Sequence, residues 1–383
     1  MKWDTIRFGD LYAEDSRNGL TKPSKVRGSG YKMINMGELF ANDRIYDIPM
    51  ELVPLKENEK KNAKVECGDL LFARQSLVLA GAGKCSIVME TAPLTVFESH
   101  IIRVRLERKI ANPLFYYYYF KSPYSAVKTI VSQCAQAGIR GSDLQEIVVI
   151  HPDIHLQDAI AECLSRYDDL IENNQRQIKL LEEAAQRLYK EWFVDLRFPG
   201  HEDKEIVDGL PVGWKKQGLS EIAPILTGKK DANFGTKDGK YLFFTCAQEP
   251  IKAPSYSFDC DAVILAGNGD FNVKLYRGRF EAYQRTYVFS PFDRGHLYLL
   301  YHAVRENMRQ LFQGASGSTI KFLTKRMLED IIVYIPDEQL LKKYNDNAEA
   351  IQRKIECLKD SINKATEARD RLLPKLMSGE IEL

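Results

Sequence analysis

The stretch "LIENNQRQIKLLEEAAQRLYKEWFVDL", residues 170 to 196, decides the fold predicted for this chain. Apolar residues recur through it at alternating steps of four and three, which is the spacing of a coiled-coil seam. The same spacing starts upstream at Ile160 and returns in a second run after residue 340. The predicted seam residues are Ile160, Leu164, Tyr167, Ile171, Asn174, Ile178, Leu181 and Leu188 in the first run, and Ile351, Ile355, Leu358, Ile362, Leu372 and Leu376 in the second.

The two helical runs belong to an internal repeat. Pro336 follows Pro152 by 184 residues, and the same offset relates the seam positions of the two runs. It also continues backward to Leu144 and Leu328, so that an apolar strand and a proline precede each helix.

The start of each repeat is marked by a tryptophan. The stretches "KWDTIRFGDL" (2 to 11) and "GWKKQGLSEI" (213 to 222) share this tryptophan and an apolar residue five positions later. The resulting divisions are a first globular domain over 1–155, a first long helix over 156–196, a connector over 197–213, a second globular domain over 214–336, and a second long helix with a tail over 337–383.

The repeat predicts the architecture. The fold class is α+β, with two globular domains related by a pseudo-twofold axis and separated by a long antiparallel two-helix coiled coil. A helix of about 38 residues is about 57 Å long, and Asn174 is the polar seam residue expected to set the register. Trp192, Phe193, Leu376 and Met377 are expected to pack where the helices meet the globular domains. Two ordinary amphipathic helices in separate bundles would show the same periodicity.

Composition excludes several classes of protein. The 383 residues are 44% hydrophobic, enough for folded cores, and no apolar run reaches the roughly twenty residues of a membrane span. The first residues lack the apolar region of a secretory signal. Seven cysteines without a C-x-x-C pair fit a reducing compartment. We therefore expect a cytoplasmic protein that does not associate with membranes.

The net charge of +1 conceals an uneven distribution. Residues 214–336 carry 17 Lys and Arg against 12 Asp and Glu, whereas residues 156–213 carry 7 against 13. Basic globular parts joined to acidic helices are typical of a nucleic-acid-binding protein with a separate protein-docking element. Ordinary scatter of surface charge also produces such values.

The motifs that would indicate catalysis are incomplete. "LAGAGKCS" (79 to 86) resembles a phosphate loop, but Val78 stands at the required first glycine and Cys85 replaces the Ser or Thr that binds magnesium. "NPLF" (112 to 115) favours a helix start, with Asn112 as the cap and Pro113 in the first turn. The six histidines show no metal-ligand spacing. We expect no catalytic residue, no metal site and no cofactor bound by this chain.

Both globular domains carry polar and basic residues on glycine-punctuated strands and loops. Arginine and lysine bind guanine edges and phosphates, and the amides of asparagine and glutamine bind adenine. The candidate DNA-binding residues are Lys22, Lys25, Arg27, Arg74, Gln75 and Lys84 in the first domain, and Lys229, Lys230, Asn268, Lys274, Arg277, Arg279 and Arg285 in the second. For any one of them a solvated surface charge is an alternative interpretation.

Five stretches resemble the specificity subunit of type I restriction-modification systems. They are "GYKMINMGELF" (30 to 40), "NPLFYYYYF" (112 to 120), the residues 170 to 196 quoted above, "LAGNGDF" followed by "GRFEAYQRTYVF" (265 to 289), and "RDRLLPKLMSGEIEL" (369 to 383). The resemblance covers essentially the whole chain.

The resemblance implies a non-catalytic DNA-reading subunit. Two target-recognition domains would each read one half of a split double-stranded DNA sequence, with the helices as a spacer. Two modification subunits, which hold S-adenosylmethionine and methylate adenine at N6, would dock on the helices. A restriction-translocation subunit would join them for cleavage.

Two other interpretations stay open at this point. One is a pseudo-symmetric protein-interaction scaffold without sequence-specific DNA reading, whose association with DNA would be weak and insensitive to salt. The other is a methyltransferase in its own right, which would bind S-adenosylmethionine as the isolated chain.

Overall fold

The computed structural model describes residues 3–76, 81–133, 137–317 and 320–383. Val78 and one of the seven cysteines, Cys134, lie outside the described residues. The chain forms two compact units, unit 1 with Met1–Asn173 and Ser361–Leu383, and unit 2 with Asn174–Asp360. Each long helix is divided between the two units. The predicted boundaries instead make each long helix a segment of its own, and they stay a prediction.

Unit 1 contains thirteen strands in its described part. They are β1 (Thr5–Arg7), β2 (Tyr12–Asn18), β3 (Tyr31–Ile34), β4 (Arg44–Ile45), β5 (Glu51–Val53), β6 (Leu70–Ala73), β7 (Gln75–Ser76), β8 (Cys85–Val88), β9 (Thr95–Phe97), β10 (Ile101–Leu106), β11 (Ser132–Gln133), β12 (Ala137–Gly138) and β13 (Val148–Ile150). Their sheets have the orders β2-β10-β6-β8-β4, β5-β3-β9, β11-β12-β7 and β1-β13. The short helices are α1 (Met36–Ala41), α2 (Glu57–Asn62), α3 (Pro113–Lys121) and α4 (Gly141–Glu146).

Unit 2 is built on one six-stranded sheet of order β17-β22-β20-β21-β18-β19, with the pairs β14-β15 and β16-β23 beside it. The strands are β14 (Ile206–Val207), β15 (Leu210–Pro211), β16 (Lys215–Gly218), β17 (Leu226–Thr227), β18 (Tyr241–Phe244), β19 (Ile251–Ala253), β20 (Phe258–Ala266), β21 (Val273–Ala282), β22 (Thr286–Phe289) and β23 (Ile332–Ile335). The helices are α6 (Leu219–Ile222), α7 (Leu297–Gly314) and α8 (Lys325–Glu329). The chain thus mixes helix and sheet, as the predicted fold class requires.

The repeat seen in the sequence is present in the register of the entry strands. In unit 1, β1 pairs with β13 and the Phe8 amide donates to the Ile147 carbonyl at 2.9 Å. In unit 2, β16 pairs with β23 and the Leu219 amide donates to the Ile331 carbonyl at 2.9 Å. The residues five positions after each tryptophan are therefore structurally equivalent, as the sequence predicted.

The repeat also extends through the central strands of the two large sheets. β6 lies between β8 and β10, as β20 lies between β21 and β22. The opposed residues are Phe72, Cys85 and Ile102 in unit 1, and Leu265, Val273 and Tyr287 in unit 2. The sequence resemblance between these segments is slight, since a sheet fixes the pairing and the face of a residue but not its identity.

In each unit, one glycine lies in close contact with the backbone of a neighbouring segment. A Cβ on Gly19 would overlap the carbonyl oxygen of Phe97, and a Cβ on Gly228 would overlap that of Ala282. Glycine is required at both places because any side chain would separate the two segments.

The two long helices are α5 (Ile154–Tyr189), which continues into a π-helical turn at Lys190–Val194, and α9 (Glu338–Ser378). None of the fourteen predicted seam residues is exposed. The buried ones are Ile160, Leu164, Ile171, Asn174, Ile355, Leu358 and Leu376. Burial of the apolar stripe is what stabilises an amphipathic helix in a folded protein.

Each unit packs the beginning of one long helix beside the end of the other. In unit 1, Leu376 and Met377 of α9 share a core with Ile160 and Leu164 of α5. The indole Nε1 of Trp3 donates to the Met377 carbonyl at 3.0 Å. The predicted packing of Leu376 and Met377 against a globular domain is confirmed.

Unit 2 repeats this arrangement with aromatic side chains. Trp192 and Phe193 share a core with Tyr344 of α9. The Phe193 ring lies 5.6 Å from that of Trp214 and 4.7 Å from that of Tyr344, measured between centroids. The first helical run then ends where Leu196 (φ 55°) and Gly200 (φ 85°) adopt left-handed backbone.

Within the described ranges, no helix combines the length and the apolar character needed to cross a membrane.

Candidate nucleic-acid interface

The end of β6 in unit 1 is a meeting point of three segments. The Arg74 amide donates to the His100 carbonyl at 2.8 Å, and the Ile139 amide donates to the Arg74 carbonyl at 2.9 Å. Gln75 pairs with Gly138 across β7 and β12. We call residues 74–76, 100 and 137–139 loop cluster 1.

The end of β20 in unit 2 repeats this arrangement bond for bond. The Gly267 amide donates to the Arg285 carbonyl at 2.9 Å, and the Leu323 amide donates to the Gly267 carbonyl at 2.8 Å. Asn268 pairs with Phe322 in an antiparallel bridge. We call residues 267–269, 285 and 321–323 loop cluster 2.

The two clusters place predicted DNA-binding residues at equivalent positions. Gln75 and Asn268 each follow the strand end by two residues and pair with the same incoming segment. Both carry an amide side chain, which presents a donor and an acceptor side by side and matches the N6 and N7 edge of adenine. Both residues are half-buried.

Basic side chains accompany the amides. Arg285 and Lys229 are exposed, and within the described chain neither makes a hydrogen bond or ion pair through its side chain. The backbone of Lys230 accepts from the Gln284 amide at 3.0 Å, and its ammonium lies 4.5 Å from the centroid of the Phe234 ring. Loop cluster 2 and residues 229 and 230 therefore offer cations that phosphates would pair with.

Three of the six candidates in unit 1 are engaged within the domain. The Lys22 ammonium lies 2.8 Å from the Glu59 carboxylate, and its hydrogen bond is the main reason that the pKa of Glu59 is lowered. Arg27 pairs with Glu51 at 2.6 Å. These contacts tie the segment 21–30 to its own domain.

The third engaged candidate, Lys84, forms part of a partly exposed ionic cluster. Its ammonium lies 3.2 Å from the Asp43 carboxylate, which Lys121 also contacts at 2.6 Å. Burial acts to raise the pKa of Asp43, but the two ammonium groups outweigh it and the pKa is lowered. The groups line a cavity of 690 Å³ with Phe120 and Val127 on its apolar wall.

The other candidates of unit 1 are less constrained. Lys25 is exposed on the turn Ser24–Val26. Arg74 is half-buried, and its guanidinium donates a long hydrogen bond to the Ser99 carbonyl at 3.4 Å. Arg74 and Gln75 thus both lie in loop cluster 1. Lys25 lies on a different segment, the turn 24–26.

The side chains of three candidates in unit 2 make contacts within the unit. Arg277 pairs with both oxygens of Glu349 on α9, at 2.8 and 3.2 Å, and also donates to the Tyr298 hydroxyl. Lys274 donates to the Ala247 carbonyl at 2.9 Å, and burial lowers its pKa. Arg279 pairs with Asp259 on the neighbouring strand at 3.0 Å.

The Arg277 contact perturbs both partners. Hydrogen bonds from Arg277 and then from Tyr298 lower the pKa of Glu349 to about 2, and the same contact raises the pKa of Arg277. An arginine held at both ends of a carboxylate is a connection between the sheet and α9, and its release to contact a base would break that connection.

Sequence analysis missed His100, Lys321 and Phe322 of the loop clusters. The 184-residue offset extends from Leu144 and Leu328 back to Ser132 and Ser316, which is the signal that would have located the incoming segments. The few identical residues in those segments leave this signal weak.

No group of three or more His, Cys, Asp or Glu side chains is arranged to hold a metal ion in residues 3–76, 81–133, 137–317 and 320–383. The Asn112 side chain accepts from the Leu114 and Phe115 amides, so "NPLF" is the start of α3 as predicted.

Known proteins similar to this chain share one description. Residues 1–183 match the family described as "Type I restriction modification DNA specificity domain". The EcoDI specificity subunit of Escherichia coli is 36% identical over 176 residues, which are 45% of this chain and 39% of that protein. The MjaIX specificity subunit of Methanocaldococcus jannaschii is 23% identical over an alignment that covers 100% of this chain and 94% of that protein.

A solved structure with the same fold has the same description. The type I restriction-modification S subunit from M. genitalium superposes with a TM-score of 0.61 at 16% identity, covering 98% of this chain and 96% of that one. This similarity concerns the fold of the chain. Residues 1–183 therefore match the type I restriction modification DNA specificity domain, and the predicted resemblance of the chain to the specificity subunits of these systems is confirmed.

Proposed function

We propose that the chain is a non-catalytic specificity subunit that reads a split DNA target, one half with each unit. The observation that carries the proposal is the repetition of one loop framework with different side chains. Loop clusters 1 and 2 share their hydrogen bonds but differ in the residues displayed, with Gln75 in one and Asn268 in the other. Two domains that share a backbone framework but display different side chains would be able to bind two different half-sites.

The long helices would be the spacer between the half-sites. The burial of the predicted seam and the antiparallel contacts of α5 and α9 inside each unit support an antiparallel coiled coil. Tyr189 contacts Tyr344 in unit 2, and Asp168 contacts Arg369 in unit 1. The same repeat supports a pseudo-twofold relation of the two readers and the domain divisions predicted above.

The partners of this proposal follow from the family. Two methyltransferase subunits that hold S-adenosylmethionine would methylate adenine at N6, and a restriction-translocation subunit would cleave, all in the cytoplasm. The target adenine must leave the base stack to be methylated, and that step belongs to the methyltransferase.

The direct test is single-molecule sequencing of N6-methyladenine in the source genome, with and without the gene for this chain. Loss of methylation at one split motif on deletion, and its return on complementation, is the expected result. An unchanged pattern while the partner methyltransferase is expressed would refute the proposal. Replacement of one segment at a time, first the one that carries loop cluster 1 and then the one that carries loop cluster 2, by the segment of another specificity subunit should change only one half of the motif.

A further inference from the structure

A short arm in unit 2 stands at the edge of loop cluster 2. The Phe322 amide donates to the Ser316 carbonyl at 2.8 Å, and the Ser316 amide donates back at 3.1 Å. We call Ser316, Gly317 and residues 320–322 arm 2. Phe322 pairs also with Asn268, so the arm is anchored beside a predicted base-reading residue.

Arm 2 exposes large apolar side chains together with a cation. Ile320 is 60% exposed and Phe322 is 40% exposed, next to Phe312, which is 51% exposed. The Lys321 ammonium lies 4.1 Å from the centroid of the Phe312 ring and donates to the Phe312 carbonyl at 3.2 Å. A cluster of exposed apolar side chains on a folded protein marks a binding surface.

The backbone pairs of arm 2 recur in unit 1, where two described positions carry small residues. Ser132 pairs with Gly138, and Gly138 pairs with Gln75, as Ser316 pairs with Phe322 and Phe322 with Asn268. Ala137 therefore occupies the place of Lys321, and Gly138 that of Phe322. The backbone pairs are common to both units, and at the position of Phe322 the described part of unit 1 has glycine.

Charge identifies the partner of this surface. Lys321 belongs to the arm, and Gly267 joins the arm's strand to Arg285, because the Gly267 amide donates to the Arg285 carbonyl and the Gly267 carbonyl accepts from the Leu323 amide. Lys230 accepts from the amide of Gln284, next to Arg285. Phenylalanine and isoleucine are among the apolar side chains that DNA-bending proteins insert between base steps, together with arginine and lysine contacts. A protein partner would not require the cations to sit beside a base-reading amide.

We propose that arm 2 inserts Phe322 and Ile320 between base pairs of the half-site bound by unit 2 and kinks the duplex there. Lys321 and Arg285 hold the flanking phosphates. The arm of unit 1 leaves its own half-site stacked, so the deformation of the target is one-sided. This inference rests on the proposed DNA-reading function.

The test uses the full chain in complex with its methyltransferase partner, bound to the split target found by methylation sequencing. The unit 2 half-site is the one that Arg285→Ala weakens. A 2-aminopurine, whose fluorescence rises on unstacking, is placed at each step of either half-site except the methylated adenine. Energy transfer between dyes at the duplex ends reports the bend, which for wedge insertion is about 20 to 90°.

The wild-type complex should unstack one step in the unit 2 half-site and bend the duplex. Phe322→Ala should remove the local fluorescence rise and most of the bend, Ile320→Ala should reduce both, and Phe322→Leu should restore them because leucine also acts as a wedge. Phe292→Ala is the matched control, since Phe292 is 73% exposed in the same unit but lies outside the arm.

Two failures can be told apart. Specific binding to a straight duplex, or a bend that Phe322→Ala leaves unchanged, overturns the role of the arm and leaves the proposed function intact. Absence of any sequence preference in the wild-type complex overturns the proposed function itself.

Discussion

Two arginines of unit 2, close in sequence, have different structural surroundings. Arg277 is bound to Glu349 and Tyr298. The Arg285 side chain belongs to loop cluster 2 and is exposed to solvent. The sequence alone does not distinguish the two arginines, because each lies in or next to a predicted strand and close to glycine or aromatic residues. The side-chain contacts separate a connection within unit 2 from a candidate DNA contact.

Replacement of Arg277 should destabilise unit 2. Arg277→Ala leaves Glu349 and Tyr298 without their shared partner, and we expect the free energy of unfolding to fall by about 1 kcal/mol. Arg279→Ala is the control, because Arg279 and Asp259 are 56% and 55% exposed and such pairs contribute less. Urea denaturation of the full chain measures both, and an equal effect of the two variants would contradict the assignment.

Acid should abolish the Arg277 contribution. The pKa of Glu349 is lowered from 4.5 to about 2, so this carboxylate stabilises the folded state above pH 4.5 and loses its effect as the pH falls toward 2. The stability difference between wild type and Arg277→Ala should therefore be constant near neutral pH and shrink between pH 4.5 and about 2. A difference that grows with acid would have the wrong sign.

Replacement of Arg285 should weaken DNA binding without unfolding the chain. Arg285→Ala should cost about 1 to 3 kcal/mol at one half-site if the guanidinium reads a guanine, and should reduce the salt dependence by about one phosphate if it contacts the backbone. Lys216→Ala, which removes an exposed charge from β16, is the control. Equal losses from both variants would show that only total charge matters.

At the scale of elements, a buried ionic contact joins the long helices in unit 1. Asp168 of α5 accepts from the Tyr118 hydroxyl at 2.7 Å and from Arg369 of α9, and it is 4% exposed. Three elements thus meet at one carboxylate. A buried pair of this kind contributes little over an apolar contact, but removal of one partner leaves the other charge unpaired.

Loss of Asp168 should therefore be costly. Asp168→Ala is expected to lower the free energy of unfolding by about 3 kcal/mol, since Arg369 and Tyr118 would remain without their acceptor. Asp370→Ala tests the same arginine from the solvent side, because Asp370 is 58% exposed, and should cost less than about 1 kcal/mol. Similar losses in the two variants would exclude a special role for the buried carboxylate.

The length of the helices should set the spacing of the target. Insertion of seven residues into both α5 and α9, at the unit boundaries 173/174 and 360/361, adds about 10.5 Å of helix, or about three base pairs. Methylation sequencing should then show the same half-sites with a longer gap. Insertion in α5 alone should disrupt the pairing, and an unchanged gap after the double insertion would refute the spacer.

At the scale of the whole molecule, the small net charge of +1 makes salt dependence informative. The DNA affinity of the complex with the methyltransferase should fall steeply between 50 and 200 mM salt, by about 10³-fold if six phosphates are contacted. The chain alone should show a shallower slope than the complex. A slope near zero for the complex would favour a protein-interaction scaffold.

The sequence by itself determined the repeat, the two long helices, their buried seam and the aromatic junctions at Trp192 and Phe193. These features are periodic or local, so chain order is sufficient to show them. The tertiary structure alone decided that Gln75 and Asn268 are equivalent, that Arg277 is bound to Glu349 and that arm 2 adjoins loop cluster 2. Such contacts join segments far apart in the chain, and only the pairing of strands brings their side chains together.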